Sequence, residues 1–366
     1  MHRLLPMFFP LLLWCSDAAG QLGDDWRTDF DNHVVPLEEI VSGGPTKDGI
    51  PAIDNPKFVS ASEADAWLDD REPVVVLSLG GNAKAYPLQI LMWHEIVNDE
   101  IAGIPITVTF CPLCNTALSF DRRFDGQVLD FGTTGRLRHS DLVMYDRQTE
   151  TWWQQATGQG LAGEYAGRRL ELIASPLVSW ETFKHSYPHG RVLSRDTGHA
   201  RTYGVNPYVR YDELNSAPYE SFFGAEIDRR LPAKERVVAL SSEREARAYP
   251  FSTLREVRVV NDTFDTHDIV VMWAPGTTSA LDASAIREGR DVGASGVFDR
   301  RVGERVLTFV RADEGRFRDE QTGSTWNVLG KAVGGVLQGV QLEPMQHGNH
   351  FWFAWAVFMP ETEVRR

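Results

Sequence analysis

Cysteine is scarce in this chain. The 366 residues include three, Cys15, Cys111 and Cys114. A secreted protein that depends on disulfides carries more cysteines, at wider spacing. The sequence therefore predicts a fold that depends on its hydrophobic core. A composition with 42% hydrophobic and 11% aromatic residues is consistent with well-filled cores.

Positive charge is also in short supply. The chain has 37 Lys and Arg against 51 Asp and Glu, so its formal net charge is −14. Nucleic acids and anionic membrane surfaces repel a protein of this charge. We therefore expect no nucleic-acid partner.

Long apolar runs are missing, so the sequence predicts no transmembrane segment. The apolar stretch at residues 4–14 follows Met1-His2-Arg3 and precedes small residues up to Gly20. This pattern predicts a secretory signal over residues 1–20, and hence a secreted, periplasmic or cell-envelope protein. A lipoprotein signal with lipid on Cys15 ranks second, because the bulky Trp14 precedes that cysteine.

The familiar catalytic motifs are absent as well. The sequence has no Gly-rich phosphate loop, no nucleophile elbow and no His-Glu-x-x-His zinc helix. The sequence therefore carries none of the usual markers of the common hydrolases and nucleotide-dependent enzymes. Whether the protein is an enzyme stays open.

Short β-rich segments and turn signals dominate what is present. Residues 74–79 and 106–110 read as strands, and Asp125-Gly126 reads as a hairpin turn. Ser60-Ala61-Ser62-Glu63 is a capping box that predicts a short helix, and Ser179 is expected to cap another. We predict an α+β fold, made mainly of antiparallel β-hairpins with short helices.

The sequence also predicts an internal duplication. Ala85-Tyr86-Pro87 recurs as Ala248-Tyr249-Pro250, and Val97-Asn98-Asp99 recurs at the same spacing as Val260-Asn261-Asp262. The predicted organisation is a signal at 1–20, an N-terminal extension at 21–58, a first repeat at 59–188 and a second repeat at 236–366. A Tyr-rich insert at 189–235 separates the repeats, and we expect it to be ordered, either as a binding flap over the first repeat or as a packing strap.

The two predicted repeats differ at one set of reactive residues. Cys111-Pro112-Leu113-Cys114 and the preceding His94-Glu95 occur in the first repeat, and the matching positions of the second repeat lack them. Residues held by one copy alone are not required by a shared fold. The asymmetry therefore indicates a functional site on the first repeat.

A Cys-x-x-Cys pair on a tight turn is a ready metal chelate. Cys111 and Cys114 would supply two thiolates and His94 a third ligand, a set that suits copper or zinc. Further candidates for the remaining position are Glu95, Met144, Asp196, His347 and His350.

Two alternatives to a metal site stay open. The same cysteines would be the catalytic residues of a metal-free, extracytoplasmic thiol-disulfide oxidoreductase, although strand-like residues after Cys114 argue against the helix that usually activates such a pair. Alternatively, the motif only braces a loop in a non-enzymatic envelope protein. Ser140-Asp141 and Arg195-Asp196 are candidate acid-base or substrate-binding groups, or simple turn caps.

Several long motifs resemble an uncharacterised bacterial and archaeal family, domain of unknown function 3179. They are the segments at 93–99 (WHEIVND), 111–116 (CPLCNT), 140–147 (SDLVMYDR), 193–198 and 203–208. The resemblance covers most of the chain but implies no activity. One departure is Arg138-His139, where the family is expected to carry a Tyr-Asn pair.

Overall fold

The computed structural model describes residues 25–313 and 315–366. Strands hold 39% of the residues and helices 13%, so the fold is mostly β. The predicted α+β class is therefore wrong. The helices have only four to seven residues each and pack singly against sheets, so they form no layer of their own.

The predicted signal at 1–20, with Cys15, lies outside the described residues. In the part that is described, no helix has the length and apolar character needed to cross a membrane.

The elements follow one another in short steps along the chain. The helices are α1 Ala61–Ala64, α2 Leu88–His94, α3 Trp180–Ser186, α4 Glu220–Phe223, α5 Phe251–Val257 and α6 Trp352–Ala356. Short 3-10 helices cover Leu37–Glu39, Pro112–Cys114 and Ile286–Glu288. The strands are β1 Ile40–Ser42, β2 Phe58–Ser60, β3 Pro73–Leu79, β4 Asn82–Pro87, β5 Ile96–Ile101, β6 Ile104–Cys111, β7 Thr116–Asp121, β8 Arg123–Phe124, β9 Gln127–Val128, β10 Phe131–Arg138, β11 Asp141–Asp146, β12 Trp152–Gln154, β13 Gly160–Ala162, β14 Leu172–Ile173, β15 Leu177–Ser179, β16 Arg191–Leu193, β17 Arg236–Ser241, β18 Ala246–Pro250, β19 Val259–Phe264, β20 His267–Ala274, β21 Ala294–Asp299, β22 Arg301–Val302, β23 Arg305–Val306, β24 Phe309–Arg311, β25 Phe317–Asp319, β26 Thr325–Trp326, β27 Ala332–Gly334, β28 Gly348–Phe351 and β29 Glu363–Val364.

These strands form several small sheets, most of them antiparallel. The first half contains the sheets β1-β10-β11-β12-β13, β14-β7-β6-β5 and β15-β3-β4-β16-β2. The second half contains β28-β17-β18-β29, β19-β20-β21 and β24-β25-β26-β27. Two pairs are parallel, β4 with β16 and β18 with β29.

Several local predictions are confirmed. Ser60 and Glu63 form the capping box of α1, which is a short helix, Ala61–Ala64. Ser179 caps α3 by accepting a hydrogen bond from the Thr182 N–H. The Asp125-Gly126 turn joins β8 and β9.

Matching hydrogen bonds occur in the two halves of the chain. A buried indole donates to an aspartate, and a tyrosine hydroxyl donates to another aspartate, in each half. The pairs are Trp153 Nε1 with Asp146 Oδ2 at 2.9 Å, Trp326 Nε1 with Asp319 Oδ2 at 3.0 Å, Tyr86 Oη with Asp99 Oδ2 at 2.6 Å and Tyr249 Oη with Asp262 Oδ2 at 2.9 Å. The division into two repeats itself stays a prediction from the sequence.

The halves are joined by shared cores. One buried cluster contains Cys111 and Cys114 together with Phe351 and Phe353 from the end of the chain. A second cluster joins Trp180 to Trp326 in the same way. The candidate site therefore lies in a core that both halves complete.

Candidate metal centre

The Cys-Pro-Leu-Cys segment is the turn of the β6–β7 hairpin. Cys111 is the last residue of β6 and pairs with Thr116, the first residue of β7. Pro112 opens a 3-10 turn, which Asn115 ends in the left-handed conformation with φ 51° and ψ 36°. Because the chain reverses within four residues, both sulfurs are held on one side of a tight turn.

Asp141 reaches the same place from another sheet. It begins β11, and the two residues before it, His139 and Ser140, have positive φ values of 52° and 69°. The Ser140 amide donates to the Phe222 carbonyl at 2.7 Å, which fixes this corner against the inter-repeat segment. The left-handed corner thus delivers the carboxylate to the Cys-Pro-Leu-Cys turn.

Three ligand atoms converge in the buried interior. One ligand atom each from Cys111, Cys114 and Asp141 lies within 4.8 Å of the other two. Ligand atoms that share one tetrahedral ion lie roughly 3.5–4 Å apart, so small side-chain rotations suffice for one ion to contact all three. The exposed fractions of the cysteines are 2% and 0%, and the sulfurs are not joined in a disulfide.

The Asp141 carboxyl group is held firmly through one oxygen. Oδ2 accepts hydrogen bonds from Gln154 Nε2 at 2.6 Å and from the Ala156 N–H at 2.9 Å. Oδ1 is buried without a hydrogen-bond donor at normal distance. The Cys111 and Cys114 thiols are the donors that face this carboxyl group in the metal-free protein. A cation that displaces the thiol protons would take over that contact.

Burial controls the protonation of the whole group. It raises the pKa of Asp141 to about 6. It raises the pKa of both thiols too, and the nearby Asp141 adds to the effect on each. The two cysteines are therefore protonated at neutral pH, and a cation that binds them must displace the thiol protons.

Glu95 adds a further acid beside this group. It follows α2 in a positive-φ conformation, with φ 58°. Burial, followed by the charge of Asp141, raises the Glu95 pKa to about 8. Its carboxyl group lies near enough to contribute to the raised pKa of Cys111, so Glu95 is placed beside the site as an accessory candidate.

His94 points to other partners. Its Nδ1 lies 2.7 Å from the Pro51 carbonyl oxygen, and its Nε2 lies 2.7 Å from the Tyr203 hydroxyl. Burial lowers its pKa to about 4, so the ring is neutral. In this conformation neither ring nitrogen is free for a metal, and the ligand role predicted for His94 stays a prediction.

Asp196, His347 and His350 do not join the three-ligand group. Met144 lies on β11 in the same buried cluster as the two cysteines, and the exposed Asp196 pairs with Lys57 at 2.6 Å. His347 and His350 line a separate cavity of about 230 Å³, and His350 Nδ1 hydrogen-bonds Thr116 Oγ1 at 2.8 Å.

Comparison with protein families decides what the chain is related to. The model of the family described as protein of unknown function (DUF3179) matches residues 47–362. The chain belongs to the DUF3179 family. No curated protein and no solved structure matched the chain. The DUF3179 match includes the whole candidate centre, but it brings no activity with it.

Sequence reasoning missed Asp141 as a ligand. The Ser140-Asp141 pair stood out only as a candidate acid-base group or turn cap. The spacing of Asp141 from Cys114 gives no hint of contact, because Cys114 lies in the β6–β7 turn and Asp141 begins a strand of a different sheet. The signal that was present is the Ser140-Asp141-Leu142-Val143-Met144 motif itself, which stands in the family resemblance beside the cysteine motif.

Proposed function

We propose that this DUF3179 protein binds a soft or borderline transition metal, copper or zinc, through Cys111, Cys114 and Asp141. The observation that carries the proposal is the convergence of these three ligand atoms within 4.8 Å in the buried interior. Two thiolates and one carboxylate are donors that such metals accept, and three protein ligands leave a fourth position for Glu95, water or a further molecule.

Electrostatics support the same conclusion. Two thiols and two carboxyl groups are crowded together out of water, and all four have raised pKa values. A cation relieves this situation, because it stabilises the ionised form of each group.

Thiol exchange fits the site less well. A cysteine that attacks disulfides needs an accessible thiolate with a lowered pKa. Cys111 and Cys114 are buried, and burial raises the pKa of each. These features favour metal binding over the oxidoreductase alternative.

We further propose that the protein acts outside the cytoplasm. Support comes from the signal-like N-terminus alone, with its charged start and its apolar stretch at residues 4–14. N-terminal sequencing of protein from an export compartment would test this part. An intact Met1 there contradicts cleavage at the predicted signal.

Elemental analysis with thiol titration tests the metal site. The chain without residues 1–20 is purified, reconstituted with zinc or copper(I) and freed of excess ion. We expect about one equivalent of bound metal per chain. The Cys111→Ser/Cys114→Ser double variant should hold none, and Asp141→Asn should bind at least tenfold more weakly.

Asp121→Asn provides the matched control. Asp121 is another buried aspartate, on β7, but it pairs with Arg123 rather than with the cysteines. This variant should retain the wild-type metal content. Metal that is absent from the wild-type chain, or that survives in the double variant, contradicts the proposal.

A further inference from the structure

Lys234 is buried without a hydrogen-bond acceptor. It lies just before β17 with 1% of its surface exposed, and its Nζ makes no hydrogen bond in the described part of the chain. An unpaired buried ammonium is costly unless something else compensates its charge. The surroundings of Lys234 therefore need to be explained.

Aromatic faces enclose this ammonium. Lys234 Nζ lies 3.0 Å from the ring centroid of Tyr211, 5.1 Å from that of Phe351 and 5.2 Å from that of Phe353. Aromatic faces attract a cation without neutralising its charge. The cage therefore holds a positive charge in the interior and leaves it available to a nearby anion.

The titratable groups near Lys234 single out the cysteine turn. Tyr211, Phe351 and Phe353, the rings that enclose Lys234, belong to the same buried cluster as Cys111 and Cys114. The charged and titratable groups that act on Lys234 are the Cys114 thiol, Asp212 and Arg236, together with the Tyr211 phenol beneath it. Asp212 is already committed, since its carboxylate pairs with Arg236 at 2.8 Å and with Arg290 at 2.7 Å. Of the acids near Lys234, the one without another cationic partner is therefore the Cys114 thiol.

The charge of a loaded centre requires such a partner. Two thiolates and the Asp141 carboxylate carry three negative charges, so a divalent ion leaves the complex with an excess of one. An excess charge out of water is strongly destabilising unless a partner balances it. One ammonium balances it.

Resting on the metal site proposed above, we propose that Lys234 is the built-in countercharge of the metal centre. Its ammonium stabilises the anionic complex that a divalent ion forms with Cys111, Cys114 and Asp141, and it does so without touching the metal. Lys234 is thus a positioning and charge-balancing residue.

Proton counting separates this role from a structural one. Burial lowers the pKa of Lys234 to about 7 in the metal-free protein, so the amine is mostly neutral at pH 8. A negatively charged complex raises that pKa, and Lys234 then takes up a proton as zinc binds. The wild-type chain should therefore release about one proton fewer per zinc at pH 8 than a variant without the lysine. Near pH 6, where the lysine is already protonated, this difference should disappear.

The experiment is a calorimetric titration of zinc into the signal-free chain in buffers of different ionisation enthalpy. We compare wild type, Lys234→Met and Lys234→Arg. The Met variant should bind zinc roughly tenfold to a hundredfold more weakly at pH 6.5. The Arg variant should keep most of the affinity, but at pH 8 it should release as many protons as the Met variant, since arginine stays charged throughout.

Lys331→Met is the matched control. Lys331 Nζ also lies over an aromatic ring, that of Tyr187 at 5.4 Å, but it donates to the Ser186 carbonyl. This variant should match wild type in affinity and in proton release. If the Met variant does not fold, the proton count of the Arg variant still decides.

Two failures are distinguishable. A wild-type chain that binds no zinc overturns the metal site itself. A wild-type chain that binds zinc, with unchanged affinity and proton release in the Lys234 variants, overturns the countercharge role and leaves the metal site intact.

Discussion

His350 illustrates how a single buried residue sets pH dependence. Its ring lies between Thr116 and the Trp355 indole, whose centroid is 5.0 Å away. Burial, followed by the charge of His347, lowers its pKa from 6.5 to about 3. The folded ring therefore stays neutral where the ring of an unfolded chain becomes protonated.

His350→Gln should change the acid stability of the protein. As the pH falls from 6.5 towards 3, the unfolded wild type gains a proton that the folded state refuses, so stability falls by about 1.4 kcal/mol per pH unit from this group. The Gln variant lacks this contribution and should show a shallower slope in urea unfolding between pH 6.5 and 4. The exposed His189→Gln variant should keep the wild-type slope. Identical slopes for wild type and His350→Gln would contradict the assignment.

The sequence predicted some of the individual residues of the candidate metal centre. The cysteines stand in a recognisable motif, and their absence from the second half marked them as candidates. Asp141 could not be found, because its contact depends on two consecutive left-handed residues, His139 and Ser140. Neither is a glycine, so the sequence carries no ordinary signal for that corner. Lys234 was missed because a lysine is expected at the surface.

Asn115 ends the 3-10 turn that holds the two cysteines. It closes the 3-10 turn in the left-handed region, where asparagine and glycine are tolerated best. Asn115→Ala should lower the free energy of unfolding by about 1 kcal/mol, and Asn115→Gly should leave it nearly unchanged. Thermal unfolding of both variants is the measurement. Equal losses in the two variants would show that the asparagine side chain, rather than its backbone conformation, stabilises the turn.

The sequence predicted individual helices and strands correctly, but it did not predict the fold class. The Ser60-Glu63 capping box correctly indicated α1, and β-branched residues correctly indicated the strand that runs into Cys111. The class was wrong because the described helices, four to seven residues each, pack singly against the sheets and form no layer of their own. Local patterns reveal that a helix exists more readily than they reveal where it ends or what it packs against.

The molecule as a whole should unfold cooperatively. Trp153 and Trp326 are fully buried in different clusters, and each cluster draws residues from both halves of the chain. Trp153→Phe and Trp326→Phe should each lower the free energy of the same single transition by about 2–3 kcal/mol, since each removes a buried hydrogen bond and leaves a cavity. Urea unfolding followed by fluorescence and by circular dichroism would check this. Two transitions, each shifted by only one of the substitutions, would contradict it.

The segment between the predicted repeats takes part in this cooperativity. Tyr203 reaches His94 in the first half, and Asn206 donates its backbone N–H to the Ser284 carbonyl in the second at 2.8 Å. An ordered insert was predicted from the sequence. Its contact with both halves could not be predicted, because a Tyr-rich composition favours packing but does not indicate which surface is contacted. The segment is placed by tertiary contacts far apart in sequence.

Burial of Cys111 and Cys114 also limits the rate at which an ion could enter or leave the site. With almost no sulfur surface exposed, an incoming ion or chelator meets the ligands only when the fold opens locally. Uptake and release of an ion would then follow the frequency of that opening rather than the strength of the chelate. At the metal centre proposed above, a bound ion would therefore exchange more slowly than an ion held by an exposed chelate.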